Sequence, residues 1–135
     1  MRNLVKYWMT HQLIHVSADE PARRAFEEMD QRVIHHVLVC DEANNLEGIV
    51  SDRDTIRVIF RNAGRVLDVD GCTVGSIMTR PPLVTIGPDA TLELAAERML
   101  EAQVNALPVF EGEKLVGILT HQDILGALVE GAMHP

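Results

Sequence analysis

The apolar positions of this chain follow a helical spacing and a strand spacing in turn, and the whole sequence of patterns occurs twice. Ala22, Ala25, Phe26 and Met29 recur at i, i+3, i+4 and i+7, one buried stripe of a helix. Leu92, Ala95, Ala96 and Met99 reproduce that stripe at an offset of 70. The spacing predicts a helix ending near Met29 and another ending near Met99. Leu13–Val16 forms a short strand ahead of the first, and Ser17–Pro21 supplies the Asp and Pro that suit a helix start.

Beyond each helix, two apolar, β-branched runs flank a polar turn, the pattern of a hairpin. They are Val33–Cys40 with Leu46–Val50, and Val104–Phe110 with Leu115–Leu119. A second helix then follows in each copy, from Asp52 to about Asn62 closed by Gly64, and from Gln122 to about Val129 closed by Gly131. The predicted fold class is α+β, built from two tandem strand-helix-strand-strand-helix repeats.

The repetition extends to residue identity. Ile14–Met29 aligns with Val84–Met99, with Asp19/Asp89, Ala25/Ala95, Glu27/Glu97 and Met29/Met99 identical. Leu46–Asp54 aligns with Leu115–Asp123 at an offset of 69, and the slip falls in the turns Asp41–Asn45 and Glu111–Lys114. Met9-Thr10 is echoed by Met78-Thr79, which marks where each copy begins. The expected division is residues 1–64, a connecting segment 65–75 and residues 76–135.

A length of 135 residues suggests one compact domain, in which halves too small to be stable alone share a core. With 47% hydrophobic but 4% aromatic residues, that core is aliphatic. The chain shows no apolar run of about 20 residues and no signal-peptide pattern, so it reads as cytoplasmic. Cys40 and Cys72, without CxxC spacing, read as reduced thiols. A net charge of −8 argues against nucleic acid, and leaves any anionic ligand to local groups.

The ordered set of features, ending in Gly48-Ile-Val-Ser51-Asp-Arg-Asp54 and Gly117-Ile-Leu-Thr120-His-Gln-Asp123, resembles the tandem CBS-domain family, or Bateman module, over about residues 7–130. The resemblance implies that the repeats pack through their sheets with pseudo-twofold symmetry. It further implies an adenine nucleotide or adenosyl compound in a cleft between them, and no catalytic cofactor. AMP, ADP, ATP, NAD and S-adenosylmethionine all fit that description. By the same resemblance Ser51 and Thr120 lie near phosphates, and Asp54 and Asp123 bind the ribose hydroxyls.

Elementary chemistry agrees, because a helix N-terminus welcomes phosphate and a carboxylate can accept from both hydroxyls of a ribose. Yet Ser/Thr followed three residues later by an acid is also a capping box, and both roles stay open. Asp rather than Glu at that place in both copies, together with the resemblance, tips the reading toward a ligand. The resemblance also places Ile14, His15, Val16, Val37 and Val39, and Val84, Thr85, Leu107, Pro108 and Val109, around the base. Alternation alone makes most of these sheet core. Val37-Leu38-Val39 departs from the apolar-Pro-Val pattern that Leu107-Pro108-Val109 keeps. Arg53, Arg57 and Arg61 share a helical face, of which Arg53, nearest the helix start, joins the candidate site.

Other chemistries have less support. His35 and His36 are adjacent and point to opposite faces of a strand. His11 and His15, although four residues apart, straddle a predicted loop and strand, so no zinc site is expected from them with Cys40 nearby. No P-loop, GxGxxG or nucleophile elbow occurs, so the chain reads as a non-enzyme. The expected function is ligand sensing, by a population shift in which bound ligand changes the relative angle of the copies. Its partners would be a second copy, as a homodimer, and an unidentified effector protein. The alternative is a structural dimerisation or protein-interaction module with empty clefts.

Overall fold

A computed structural model describes residues 2–54 and 71–132. The second helix expected in the first copy beyond Asp54, with Arg57, Arg61 and Gly64, and the expected connection up to residue 70 lie outside the described residues. The chain forms two compact units. One is Ile14–Pro82; the other joins Met1–Leu13 to Leu83–Pro135.

In the first unit, β1 (His15–Val16), α1 (Ala22–Arg32), β2 (His36–Cys40), β3 (Leu46–Ser51) and α2 (Val74–Ile77) follow in order. β1 runs parallel to β2, with Val16 opposite Val39, and β2 antiparallel to β3, with Val37 opposite Val50 and His36 opposite Ser51. The four valines meet Ala22, Ala25 and Met29 of the α1 stripe in an aliphatic core that also takes in Val74 and Ile77. The stripe is where the sequence puts it, with Phe26 packed at its margin. α1 runs past Met29 and ends at Val33, whose φ of 54° is left-handed. That turn consumes residues expected in a strand, so β2 begins at His36 rather than Val33.

The other unit repeats the plan. Ile86 makes a single parallel bridge to Val109, followed by α3 (Leu92–Ala102), β4 (Ala106–Glu111), β5 (Lys114–Thr120) and α4 (His121–Val129). Thr91 caps α3 by accepting from the Leu94 N–H, and Gly131, at φ 78°, follows α4 as expected. Val5, Ile86, Leu92, Ala95, Met99, Leu107, Val109, Leu119 and Ala127 form its core. Each unit carries a hydrophobic cluster of its own among the described residues.

The two leading segments explain how. Asn3 accepts from the Leu92 N–H at 2.8 Å, Val5 and Lys6 donate to Ala90 and Pro88 at 2.9 Å, and Thr10 exchanges two hydrogen bonds with Ile118 at 2.9 and 3.1 Å. In the first unit, Cys72 accepts from the Ala22 N–H at 2.8 Å, and Val74 and Gly75 donate to Glu20 and Ala18 at 2.8 and 2.9 Å. Thr79 exchanges two bonds with Ile49 at 2.8 and 3.1 Å. The start of α1 therefore has no side-chain cap, because the backbone of the 72–75 segment does that work. Residues 72–75, expected to connect, are packed structure. The Met-Thr pair that opens one copy in sequence completes the sheet of the other copy in space.

Candidate functional site

Strand register brings the candidate polar residues to one end of each sheet. His15 lies opposite Leu38, and Ser51 lies opposite His36 on the far side of β2. With strands ~4.8 Å apart and a rise of ~3.3 Å per residue, the edge residue and Ser51, two strands over and two residues out of register, stand ~12 Å from each other. The same end of the other sheet carries Thr120, opposite Ala106 of β4, with Thr85 just before the Ile86 bridge.

Both hydroxyl–carboxylate pairs close capping boxes. The Ser51 N–H donates to Asp54 Oδ2 at 2.8 Å, the Ser51 hydroxyl donates to the same oxygen at 3.2 Å, and the Asp54 N–H donates to Ser51 Oγ at 3.4 Å. The Thr120–Asp123 distances are 2.8, 3.1 and 3.4 Å. The expectation that Asp in place of Glu weakens the capping role is corrected: the shorter side chain still spans the first turn. The carboxylates are also immobilised by it. Asp54 is 2% exposed, and burial pushes the Asp123 carboxyl above its ordinary range, although the Thr120 hydrogen bonds and nearby His121 pull it down. Among the described residues no group donates to Asp123 Oδ1, which leaves one oxygen of a fixed carboxylate for other donors.

The strand residues divide by face. Val16, Val37, Val39, Leu107 and Val109 send their side chains into the aliphatic cores, each 3% exposed or less, because alternation along a strand puts them on the helix-covered face. They have only backbone to offer a ligand. Pro108 is buried as well. Ile14 and Thr85 are half-buried, whereas His15, Val84 and Arg53 are exposed.

Two polar contacts beside these sites were not anticipated. His35 Nδ1 lies 3.0 Å from Asp52 Oδ2, and the Asp52 N–H donates to the His35 carbonyl at 3.1 Å. At the equivalent positions, the His121 N–H donates to the Asn105 carbonyl at 2.9 Å. Polar residues flanking the cap in both copies were the signal in the sequence. Arg98 Nη1 also donates to the Thr85 carbonyl at 2.7 Å. Among the described residues, no three metal-binding side chains come together and no helix is long and apolar enough to cross a membrane.

Comparison with known proteins gives these features a context. The CBS domain family model matches residues 5–61 and again 74–130. A CBS domain-containing protein of Dictyostelium discoideum is 31% identical over 138 aligned positions, covering 96% of this chain and 94% of that protein. The CBS domain pair of protein MJ0100, solved in complex with 5′-methylthioadenosine and S-adenosyl-L-methionine, superposes with a TM-score of 0.81 at 25% identity, covering 93% of this chain and 98% of that one. CBSX2 in complex with AMP superposes at 0.78 with 28% identity, covering 96% and 98%. With two matched repeats that together span most of its length, the chain belongs to the CBS-domain family and carries a tandem pair of its domains.

Proposed function

We propose that the protein is a regulatory ligand-sensing module that binds an adenosine nucleotide or adenosyl compound at the sheet ends marked by Ser51–Asp54 and Thr120–Asp123. The observation that carries this reading is the Asp123 carboxylate. It is held by Thr120 through Oδ2 at a helix N-terminus, with Oδ1 uncommitted among the described residues. That oxygen suits a ribose hydroxyl donor, while the start of α4 suits a phosphate. Thr85 and Thr120, two strands and two residues of β4 apart and so about 12 Å from each other, bracket a length suited to a base and its ribose. The complexes of MJ0100 and CBSX2 with adenosine compounds support the ligand class. Base contacts from Val37, Val39, Leu107 and Val109 would come through backbone amides and carbonyls, and Arg53 would meet phosphate.

The test is thermal unfolding with AMP, ADP, ATP, NAD and S-adenosylmethionine at millimolar concentration, on the wild type, Asp54→Asn and Asp123→Asn. A ligand bound only by the folded chain adds about 2.7 kcal/mol of stability at a hundred times its Kd. The expected result is a shift with at least one compound that one of the two substitutions abolishes. The absence of any shift would refute the reading.

A second reading, a dimerisation or protein-interaction module, is favoured by one observation. Leu125, Leu128 and Val129 on α4 are 55%, 53% and 86% exposed, an apolar end of a helix suited to another protein surface. Sedimentation of the wild type against Leu125→Glu and Leu128→Glu tests it, with a loss of assembly expected if this surface joins copies.

A further inference from the structure

The Ile86 N–H donates to the Pro108 carbonyl at 3.1 Å, and the Ile86 carbonyl accepts from the Phe110 N–H at 2.9 Å. Backbone groups alternate in direction along an extended segment, so the carbonyl of Thr85, one residue earlier, turns away from β4 toward the open edge. There it accepts the 2.7 Å bond from Arg98 Nη1. A guanidinium donor makes this a charge-assisted bond, stronger than a neutral one.

The other copy inverts the arrangement. Glu28 occupies the place of Arg98 and His15 that of Thr85, at the same offset of 70. An ionised carboxylate donates no hydrogen bond. Glu28 is instead held by Arg24 Nη2 at 3.1 Å and Arg32 Nε at 2.8 Å, which keep its carboxyl below the usual range. Leu94 and Ala102 stand where those arginines would be in α3, and although Glu101 lies one turn on, no ion pair joins it to Arg98 among the described residues, which leaves the guanidinium to the Thr85 carbonyl. Among the described residues no side chain donates to the His15 carbonyl.

We infer that Arg98 is a positioning residue that preforms the base-facing edge of the second copy's site, and that the two sites are therefore unequal. The site with Thr85, Thr120 and Asp123 takes an adenosine ligand first and more tightly. The site with His15, Ser51 and Asp54 fills second, because its edge, although β1 pairs with β2, has among the described residues no charged side-chain donor to fix the outward carbonyl before ligand arrives. The inference rests on the adenosine-binding reading above and adds to it an order of occupancy and the residue that sets it.

Calorimetric titration with AMP tests this, with Asp123→Asn and Asp54→Asn assigning each binding step to its site. Arg98→Met is expected to weaken the Asp123-dependent step by about tenfold, the scale of one hydrogen bond to a charged group, and to leave the Asp54-dependent step alone. Arg98→Lys, which still donates, is expected to restore most of the affinity. In the free protein, amide exchange over Thr85–Gly87 is expected to quicken in Arg98→Met. A lowered Tm with AMP affinity unchanged would make Arg98 merely structural and overturn the inference, as would tighter binding at the Asp54-dependent site. Failure of AMP and S-adenosylmethionine to bind the wild type at all would instead refute the underlying reading, and the inference with it.

Discussion

The carbonyl oxygen of Thr10 lies 2.8 Å from the point that a Cβ on Gly117 would occupy. Gly48 has the same relation to Thr79, whose carbonyl oxygen lies 2.7 Å from the equivalent point. The glycine of each Gly-Ile motif is thus a sheet position where another backbone approaches too closely for any side chain. Gly117→Ala and Gly48→Ala must push the Met-Thr segment off the sheet. Each is expected to destabilise the fold by about 1–3 kcal/mol, the usual range for overpacking, measured by urea unfolding.

Val33 offers the opposite sign. A β-branched residue at φ 54° carries conformational strain of about 1–2 kcal/mol, and at 83% exposure it recovers little by burial. Glycine is at ease in that conformation. Val33→Gly is expected to raise stability by about 1 kcal/mol in the same assay, through relief of the turn that ends α1.

The Asp123 carboxyl, raised by burial, gives a pH dependence with a definite sign. Its native value lies above the ordinary aspartate value, so the folded state holds the proton more tightly than the unfolded one. The stability it contributes is fully present below the ordinary value and is lost as pH rises through the native value. Asp123→Asn is expected to flatten that part of the stability–pH curve. A ligand whose hydroxyls donate to the ionised carboxylate should bind less well as pH falls through the same range, read by titrations at stepped pH.

The exchange of leading segments predicts how the chain divides. A fragment of residues 14–82 contains every backbone partner of Ala22, Glu20 and Ile49 described above, whereas residues 1–64 lack Cys72, Val74 and Thr79. The 14–82 fragment is expected to unfold cooperatively by circular dichroism, and the 1–64 fragment to show no transition.

Much of this architecture was legible in the residues. The stripe from Ala22 to Met29 and its copy from Leu92 to Met99 named two helices and the faces they bury, because helical spacing reports burial directly. The hairpins were equally plain. What the pattern could not reveal is which sheet each Met-Thr pair completes. Both sheets present the same Gly-Ile acceptor, so local sequence favours neither pairing, and only chain geometry decides. At the candidate site, the spacing of Ser51 with Asp54 and of Thr120 with Asp123 was visible, but their reciprocal hydrogen bonds were not, since cap and ligand contact demand the same residue types. Arg98 stayed hidden because its partner is a backbone carbonyl, which leaves no mark in side-chain identity.

The pairing of Thr10 with Ile118 also bears on how the chain is made. Synthesis runs from the N-terminus, at about 5–20 residues per second. Ile14–Pro82 is a continuous stretch that holds the backbone partners of Ala22, Glu20 and Ile49, so these pairings can form once its last residue has left the ribosome. The opening residues belong with Leu83–Pro135 and must wait for Ile118, on the order of 5–20 s at that pace. During that interval Val5 and Met9, which end as buried core residues, lack their native core neighbours in Leu83–Pro135. The growing chain thus carries a sticky segment until Ile118 emerges, and slowing translation between residues 83 and 118 would lengthen the period in which that segment can find a wrong surface.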